Sequence, residues 1–154
     1  PILTALGASV VIAGSSGRRS VPMEEFYVWS GETVVGPGEI IMEIEVPHRP
    51  FRKTQRFEKS AGWEGDFAEA SVAAYLEFDG TRVTAARISL GAVAPLPVRA
   101  AATEQALLGG DLSDARIRTA AEKTVRGALP LSGNRYKADL LVNLAERAIH
   151  RCLS

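Results

Sequence analysis

One cysteine, Cys152, and two histidines, His48 and His150, are all this chain offers as soft metal ligands. A lone cysteine excludes an intrachain disulfide and a cysteine cluster. Two histidines so far apart lack the short ligand spacings of a zinc site. Excess charge is missing too: 18 basic side chains balance 18 acidic ones. Without a net field there is no long-range pull toward nucleic acid or an anionic membrane, and neither partner is expected. No apolar run is long enough to span a bilayer, and the opening PILTALGASVVIAG has no basic region before it. An initiator Met is absent as well, as in a processed chain, a fragment or an expression boundary. A reducing, cytoplasmic setting is the default expectation for such a composition.

What is present is ordinary for a folded chain: 46% hydrophobic and 23% charged among 154 residues, enough for one domain or two small ones sharing a core. The β-branched run from Ala8 to Ala13, the turn GSSG and the segment RRSVP read as strand, turn, strand. GSSG could cradle a phosphate, but neither G-x-G-x-x-G nor the P-loop lysine accompanies it, and a hairpin needs only Gly and Ser. PMEEFYVWS predicts a short helical turn with Glu24 and Glu25 near its start, where the helix dipole favours acids. VGPG is a turn, and GEIIMEIEVP after it is a strand. Strict alternation would put Ile40, Met42, Ile44 and Val46 on one face, and Ile41, Glu43 and Glu45 on an outward, mostly acidic one. Ile41 then stands out as an apolar residue in need of something to touch.

Pro47–Pro50, PHRP, is the expected domain boundary. Beyond it, Thr54–Ser60, Phe67–Phe78 and Arg82–Val93 predict an antiparallel meander, with Asp79-Gly80 as its hairpin signal. Three helices follow in expectation. Pro97–Leu108 ends at Gly109-Gly110, and Leu112–Gly127 is capped by Asp111 or Ser113. Asn134–Arg151 carries the stripe Leu140, Leu141, Leu144, Ala148 and Ile149. Strands followed by helices, without βαβ alternation, give an α+β class.

No catalytic constellation emerges. His150 sits where a helix C-terminus favours a cation, Cys152 reads as a packing or surface thiol, and the pairs Glu24-Glu25 and Glu43/Glu45 read as solvated faces. The segment FEKSAGWEGDFAEASVA is the exception, because Lys59, Trp63 and Asp66 fall in a turn between two strands, where binding residues concentrate. On residue types alone it is equally a wide hairpin with an exposed Trp and a surface Lys.

The same segment, with PGEIIMEIEVP before it, resembles the FAD-binding (medium) subunit of the molybdenum hydroxylase family, which includes xanthine dehydrogenase and aerobic carbon monoxide dehydrogenase. ALGASVVIAGSSGRRSVPMEEF looks like the strand pair ahead of that family's flavin-contacting strand. RISLGAVAPLPVRA resembles its Gly-x-x-x-x-x-Pro-x-R segment, and LPLSGNRYKADLLVNLAERAI its closing helix. The likeness runs along almost the whole chain in the family's order.

The resemblance implies that residues 1–47 form the C-terminal end of an FAD-binding domain. Residues 48–154 would be the flavoprotein C-terminal domain, an antiparallel meander packed against about three helices. Ile41 and Lys59 match family flavin contacts, while Trp63 and Asp66 lie close in sequence without a matching role. No position is implied to be catalytic or to bind metal. The implied cofactor is FAD, whose pyrophosphate loops have no counterpart in this sequence. Molybdenum cofactor and iron–sulfur clusters would reside on a molybdenum-binding large subunit and an iron–sulfur small subunit, and an N-terminal FAD-binding segment would be a further partner. Arg residues that the family often carries between FEK and GD are replaced by Gly62, Trp63 and Glu64. The implied activity is an oxidoreductase component relaying electrons through FAD. The rival expectation is a docking domain without flavin, and no residue set argues for a hydrolase or transferase.

Overall fold

The computed structural model describes residues 1–48 and 53–153. Part of the expected PHRP boundary, Arg49 and Pro50, therefore lies outside the described residues.

The chain opens with a helix no sequence signal announced, α1 (Ile2–Leu6), closed by Gly7 at φ 69°, where the absent Cβ permits the left-handed turn. Strands β1 (Ser9–Gly14) and β2 (Gly17–Pro22) form the expected hairpin across GSSG. The short helix α2 (Met23–Phe26) follows, then the small hairpin of β3 (Tyr27–Trp29) and β4 (Glu32–Thr33). The turn before the next strand closes with Glu39 N–H donating to Gly36 O at 3.1 Å. Gly38 at φ 77° occupies the position where a Pro-Gly turn requires positive φ.

Strand β5 (Ile40–Glu45) pairs antiparallel with β1, so the first sheet has the order β2-β1-β5. The strict alternation expected for this strand fails. The register shifts between Val11 and Ile12: Ile44 lies opposite Val10 and Glu43 opposite Val11, but Ile12 faces Ile41. The extra residue, Met42, makes a bulge, and a bulge moves every later side chain to the other face. Ile41 thus shares the face of Val10, Ile12 and Ile44 rather than that of the acids. Nor is an apolar face of β5 buried. The strand is an edge, and Ile40, Ile41, Met42 and Ile44 are each about half exposed. The small core of this sheet gathers instead under β1 and β2, from Val10, Ile12, Val21, Met23 and Phe26.

The second sheet has the order β6-β7-β8-β9, all antiparallel: β6 (Lys53–Ser60), β7 (Ala70–Asp79), β8 (Arg82–Gly91) and β9 (Val98–Arg99). Phe67–Glu69 belong to the turn before β7 rather than to the strand. The hairpin's central pair is Gly80-Thr81, one residue later than the expected Asp79-Gly80, since Asp79 pairs with Arg82. β7 is buried along nearly its whole length because both its faces are covered. Val72, Ala74 and Leu76 meet the helices, while Ala73 and Tyr75 meet Ala5 of α1.

Pro97–Ala100 form β9 and the entry to a helix rather than its first turn. α3 spans Ala101–Leu107, α4 Asp114–Glu122 and α5 Tyr136–Arg151. Ser113, not Asp111, caps α4, accepting from the Arg116 N–H, while Asp111 accepts from Thr81 Oγ1 at 2.7 Å. The single helix expected to reach Gly127 ends early and passes into one 3-10 turn, Lys123–Val125. On α5, Leu141, Val142, Leu144, Ala145, Ala148 and Ile149 are buried, and Leu140 is half-buried. The α+β expectation therefore holds, with three helices on one face of the sheet. Cys152 is 2% exposed, a packing thiol, and burial raises its pKa above the ordinary thiol value.

Candidate functional site

Three of the four expected site residues come together where β6 passes into β7: Trp63 and Asp66 lie in the turn, while Lys59, expected there too, is in strand β6, paired with Ser71. Glu69 N–H donates to Ser60 O at 2.8 Å and closes the turn's base. Inside it, Asp66 N–H donates to Trp63 O at 3.2 Å, and Asp66 Oδ1 accepts from Phe67 N–H at 2.7 Å. The Lys59 ammonium donates to the Asp66 carbonyl at 2.8 Å. That bond satisfies a hydrogen but leaves the charge without a carboxylate among the described residues. Gly65 at φ 96° lets the Trp63 ring lie over the backbone: a Cβ there would stand 3.0 Å from the ring. Trp63 and Phe67 project outward, 68% and 94% exposed.

The fourth residue, Ile41, belongs to the other sheet, opposite Ile12. It is 46% exposed at the open edge of an apolar row.

Period two puts Phe57 and Lys59 on one face of β6, in register with Ala73 and Ser71 of β7. That face looks toward α1. Phe57 also helps line a cleft of about 460 Å3 whose other walls include Met23, Tyr27, Trp29 and Pro97, contributed by both halves of the chain. Sequence reading missed this cleft, because its walls come from segments distant in the chain. It also missed how Lys59 is held. Glu58, on the opposite face and 5% exposed, accepts from Arg147 Nε and Arg151 Nη1 of α5, each at 2.6 Å. A buried carboxylate between two guanidinium groups ties β6, and with it the base of the turn, to the longest helix.

A second ionic cluster joins the halves. Glu24, expected to be solvated, accepts from Arg99 Nη1 at 2.7 Å and also pairs with Arg87. Arg87 in turn donates to the carbonyls of Thr4 and Ala5 near the end of α1, at 3.0 and 3.1 Å; the Thr4 carbonyl also accepts the Gly7 N–H at 3.1 Å. Glu43 and Glu45 are exposed, as expected.

These residues fit the ring end of a flavin. Ile41 offers an uncovered apolar surface, and Lys59 offers a cation beside a rigid turn. They do not form a phosphate cradle: Ser15-Ser16 is a tight hairpin turn, and the neighbouring Arg19 is taken by Glu39, its Nη2 2.7 Å from Oε2. No group of three or more His, Cys, Asp or Glu side chains able to hold a metal occurs among the described residues. Nor is any described helix long and apolar enough to cross a membrane.

Sheet order and helical layer together define an α+β segment. Residues 55–152 match the family described as CO dehydrogenase flavoprotein C-terminal domain, and residues 1–49 match the FAD binding domain in molybdopterin dehydrogenase. The chain belongs to this flavoprotein family. It is 32% identical over 151 residues to the glyceraldehyde dehydrogenase medium chain of Sulfolobus acidocaldarius, covering 96% of this chain and 53% of that protein. The carbon monoxide dehydrogenase medium chain of Hydrogenophaga pseudoflava is 29% identical, with 97% and 52% covered. Among solved structures, carbon monoxide dehydrogenase from Hydrogenophaga pseudoflava superposes with a TM-score of 0.91 at 30% identity, over 98% of this chain and 54% of that one. Quinoline 2-oxidoreductase from Pseudomonas putida 86 gives 0.87 at 31%, over 98% and 53%. The chain thus spans about half the length of the relatives it matches.

Proposed function

We propose that this chain is part of the FAD-carrying component of a molybdenum hydroxylase. One observation carries the reading: an FAD-binding match and a flavoprotein C-terminal match follow each other on a single chain. On this reading residues 1–47 close the flavin-binding unit and residues 48–154 form the C-terminal unit. A molybdenum-bearing large chain oxidises the substrate, an iron–sulfur chain passes the electrons on, and they leave through FAD to an external acceptor. FAD, when bound, supplies the exchange between one- and two-electron transfer. The assembly works in the reducing cytoplasm, a setting with which the single buried thiol accords.

What this chain contributes is placement and electrostatics. Ile41 packs its exposed apolar surface against the isoalloxazine, so its share is dispersion and water exclusion. Lys59 holds a positive charge near the ring, where reduction deposits negative charge. Asp66 positions that ammonium through its carbonyl, and Trp63 covers the turn from solvent. Glu58, held by Arg147 and Arg151, keeps β6 from shifting and so keeps Lys59 in place.

The experiment is purification of the full-length subunit with FAD, as wild type and as Ile41→Ala. A yellow wild type, with flavin content reduced in Ile41→Ala, supports the reading. A colourless full-length subunit would sink it and favour a docking role without flavin.

A further inference from the structure

The chain is neutral as a whole, yet residues 123–137 carry Lys123, Arg126, Arg135 and Lys137 and no acid. None of these four is ion-paired among the described residues. Arg126 and Lys137 stand at a groove of about 620 Å3 with apolar walls that include Leu90, Val98, Val125 and Leu141. The loop beside it displays Leu129, 92% exposed, and Leu131, 73% exposed. At the groove lies Ala92, the only non-glycine residue with positive φ among the described residues, at 62°. Lys137 Nζ donates to its carbonyl at 3.2 Å. A strained residue of this kind persists only where its surroundings hold it, and such residues gather at working surfaces.

We infer that this groove seats an acidic segment with protruding apolar side chains, supplied by a companion chain of the assembly proposed above; the inference rests on that reading. Four unpaired cations select an acidic partner and repel a basic one. The apolar walls need side chains to fill them, and a protein segment provides these. Exposed leucines beside cations also suit an anionic bilayer, but a bilayer is flat and leaves a concave groove empty. Lys59, Ser71 and Gly91 stand in register across β6, β7 and β8, and Ala92 follows Gly91 directly. Adjacent strands lie about 4.8 Å apart, so the groove opens at the same end of the sheet as Lys59, on the helical face rather than the face of α1.

The test uses the complete flavoprotein chain co-expressed with its companion chains. Two variants are compared with wild type: Arg126→Glu with Lys137→Glu, and Leu129→Ser with Leu131→Ser. The second replaces exposed side chains only and keeps the test valid if the first fails to fold. Gel filtration and native mass measure assembly, flavin absorbance measures the cofactor, and sedimentation with phosphatidylglycerol vesicles measures lipid binding. At least a tenfold loss of affinity for the companion chains, with flavin content and melting temperature of the isolated chain unchanged in the leucine variant, is the expected result. Assembly undiminished in both variants overturns the inference and leaves the flavin reading intact. Vesicle binding by wild type that the variants lose, with assembly intact, replaces the protein partner by a membrane. A wild type that carries no flavin and finds no companion overturns both readings.

Discussion

Arg99 grips Glu104 with both prongs of its guanidinium: Nε to Oε1 and Nη2 to Oε2, each at 2.6 Å. Glu104 is 5% exposed and also accepts the Ile88 N–H at 2.7 Å, so β8, β9 and α3 meet on one carboxylate. The third nitrogen of Arg99 reaches Glu24 of α2. The arginine pKa is raised chiefly by its bond to Glu104. One side chain therefore joins the helical layer to the flavin-side half. Removing it strands a buried carboxylate, which costs roughly 3–5 kcal/mol. Arg99→Ala is expected to lower the melting temperature by about 10 °C, at roughly 2–4 °C per kcal/mol for a chain of this size. Adding Glu104→Gln to that variant should recover part of the loss, because the stranded charge is gone. A thermal melt of the two variants checks both statements.

Leu144 is 3% exposed in the middle of α5, within the core that includes Val72, Ile88 and Ile117. Leu144→Ala leaves a cavity there, worth roughly 2–5 kcal/mol. Denaturant unfolding should show that loss with an unchanged slope. By contrast Leu129→Ala, at a side chain 92% exposed, should leave the midpoint unmoved.

Lys59 gives the sharpest test of the flavin reading. A unit charge about 5 Å from the ring contributes roughly 3 kcal/mol at an effective dielectric of 20. Solvent reaches this lysine, so about 1 kcal/mol is the working figure. For a two-electron couple roughly 1.4 kcal/mol corresponds to about 30 mV. Lys59→Met in the full-length subunit should therefore lower the flavin potential by about 20 mV with little change in flavin content. A redox titration that finds the wild-type potential makes Lys59 a surface residue and nothing more.

Glu39 sets an acid limit on the first half of the chain. Its carboxyl is held down to about 2, from an ordinary value of 4.5, first by the hydrogen bond from Arg19 and then by the Gly36 N–H. A carboxyl depressed in the folded state stabilises the fold above its unfolded value, and that contribution disappears as the pH falls from about 4.5 toward about 2. Glu39→Gln removes the titrating group. Acid unfolding of the variant should be less steep in that window, while a curve parallel to wild type would show the Arg19 pair to be without consequence for stability.

Local signals were enough for most of the elements. GSSG, Pro37-Gly38 and the Asp79 hairpin punctuate the chain through turn chemistry that depends only on neighbouring residues. The stripe on α5 is legible because a helix repeats its own period. The family likeness was legible too, and it alone gave Ile41 and Lys59 their expected role as flavin contacts. What escaped depended on partners far along the chain. α1 is too short to be stable by itself; it exists because Ala5 packs on Ala73 and Tyr75 and because Arg87 takes its last carbonyls. Glu24 looked solvated, since nothing nearby in sequence says that Arg87 and Arg99 converge on it. The bulge at Met42 arises from pairing with β1, and that pairing, not the period of β5 itself, decides which way Ile41 points. Residue order by itself determined most of the elements, their class and the residues worth testing, because turns, caps and periodicity act over a few positions. Only the tertiary structure decided faces, ion-pair partners and the two grooves, because each of these is made by segments that meet only when the chain is folded.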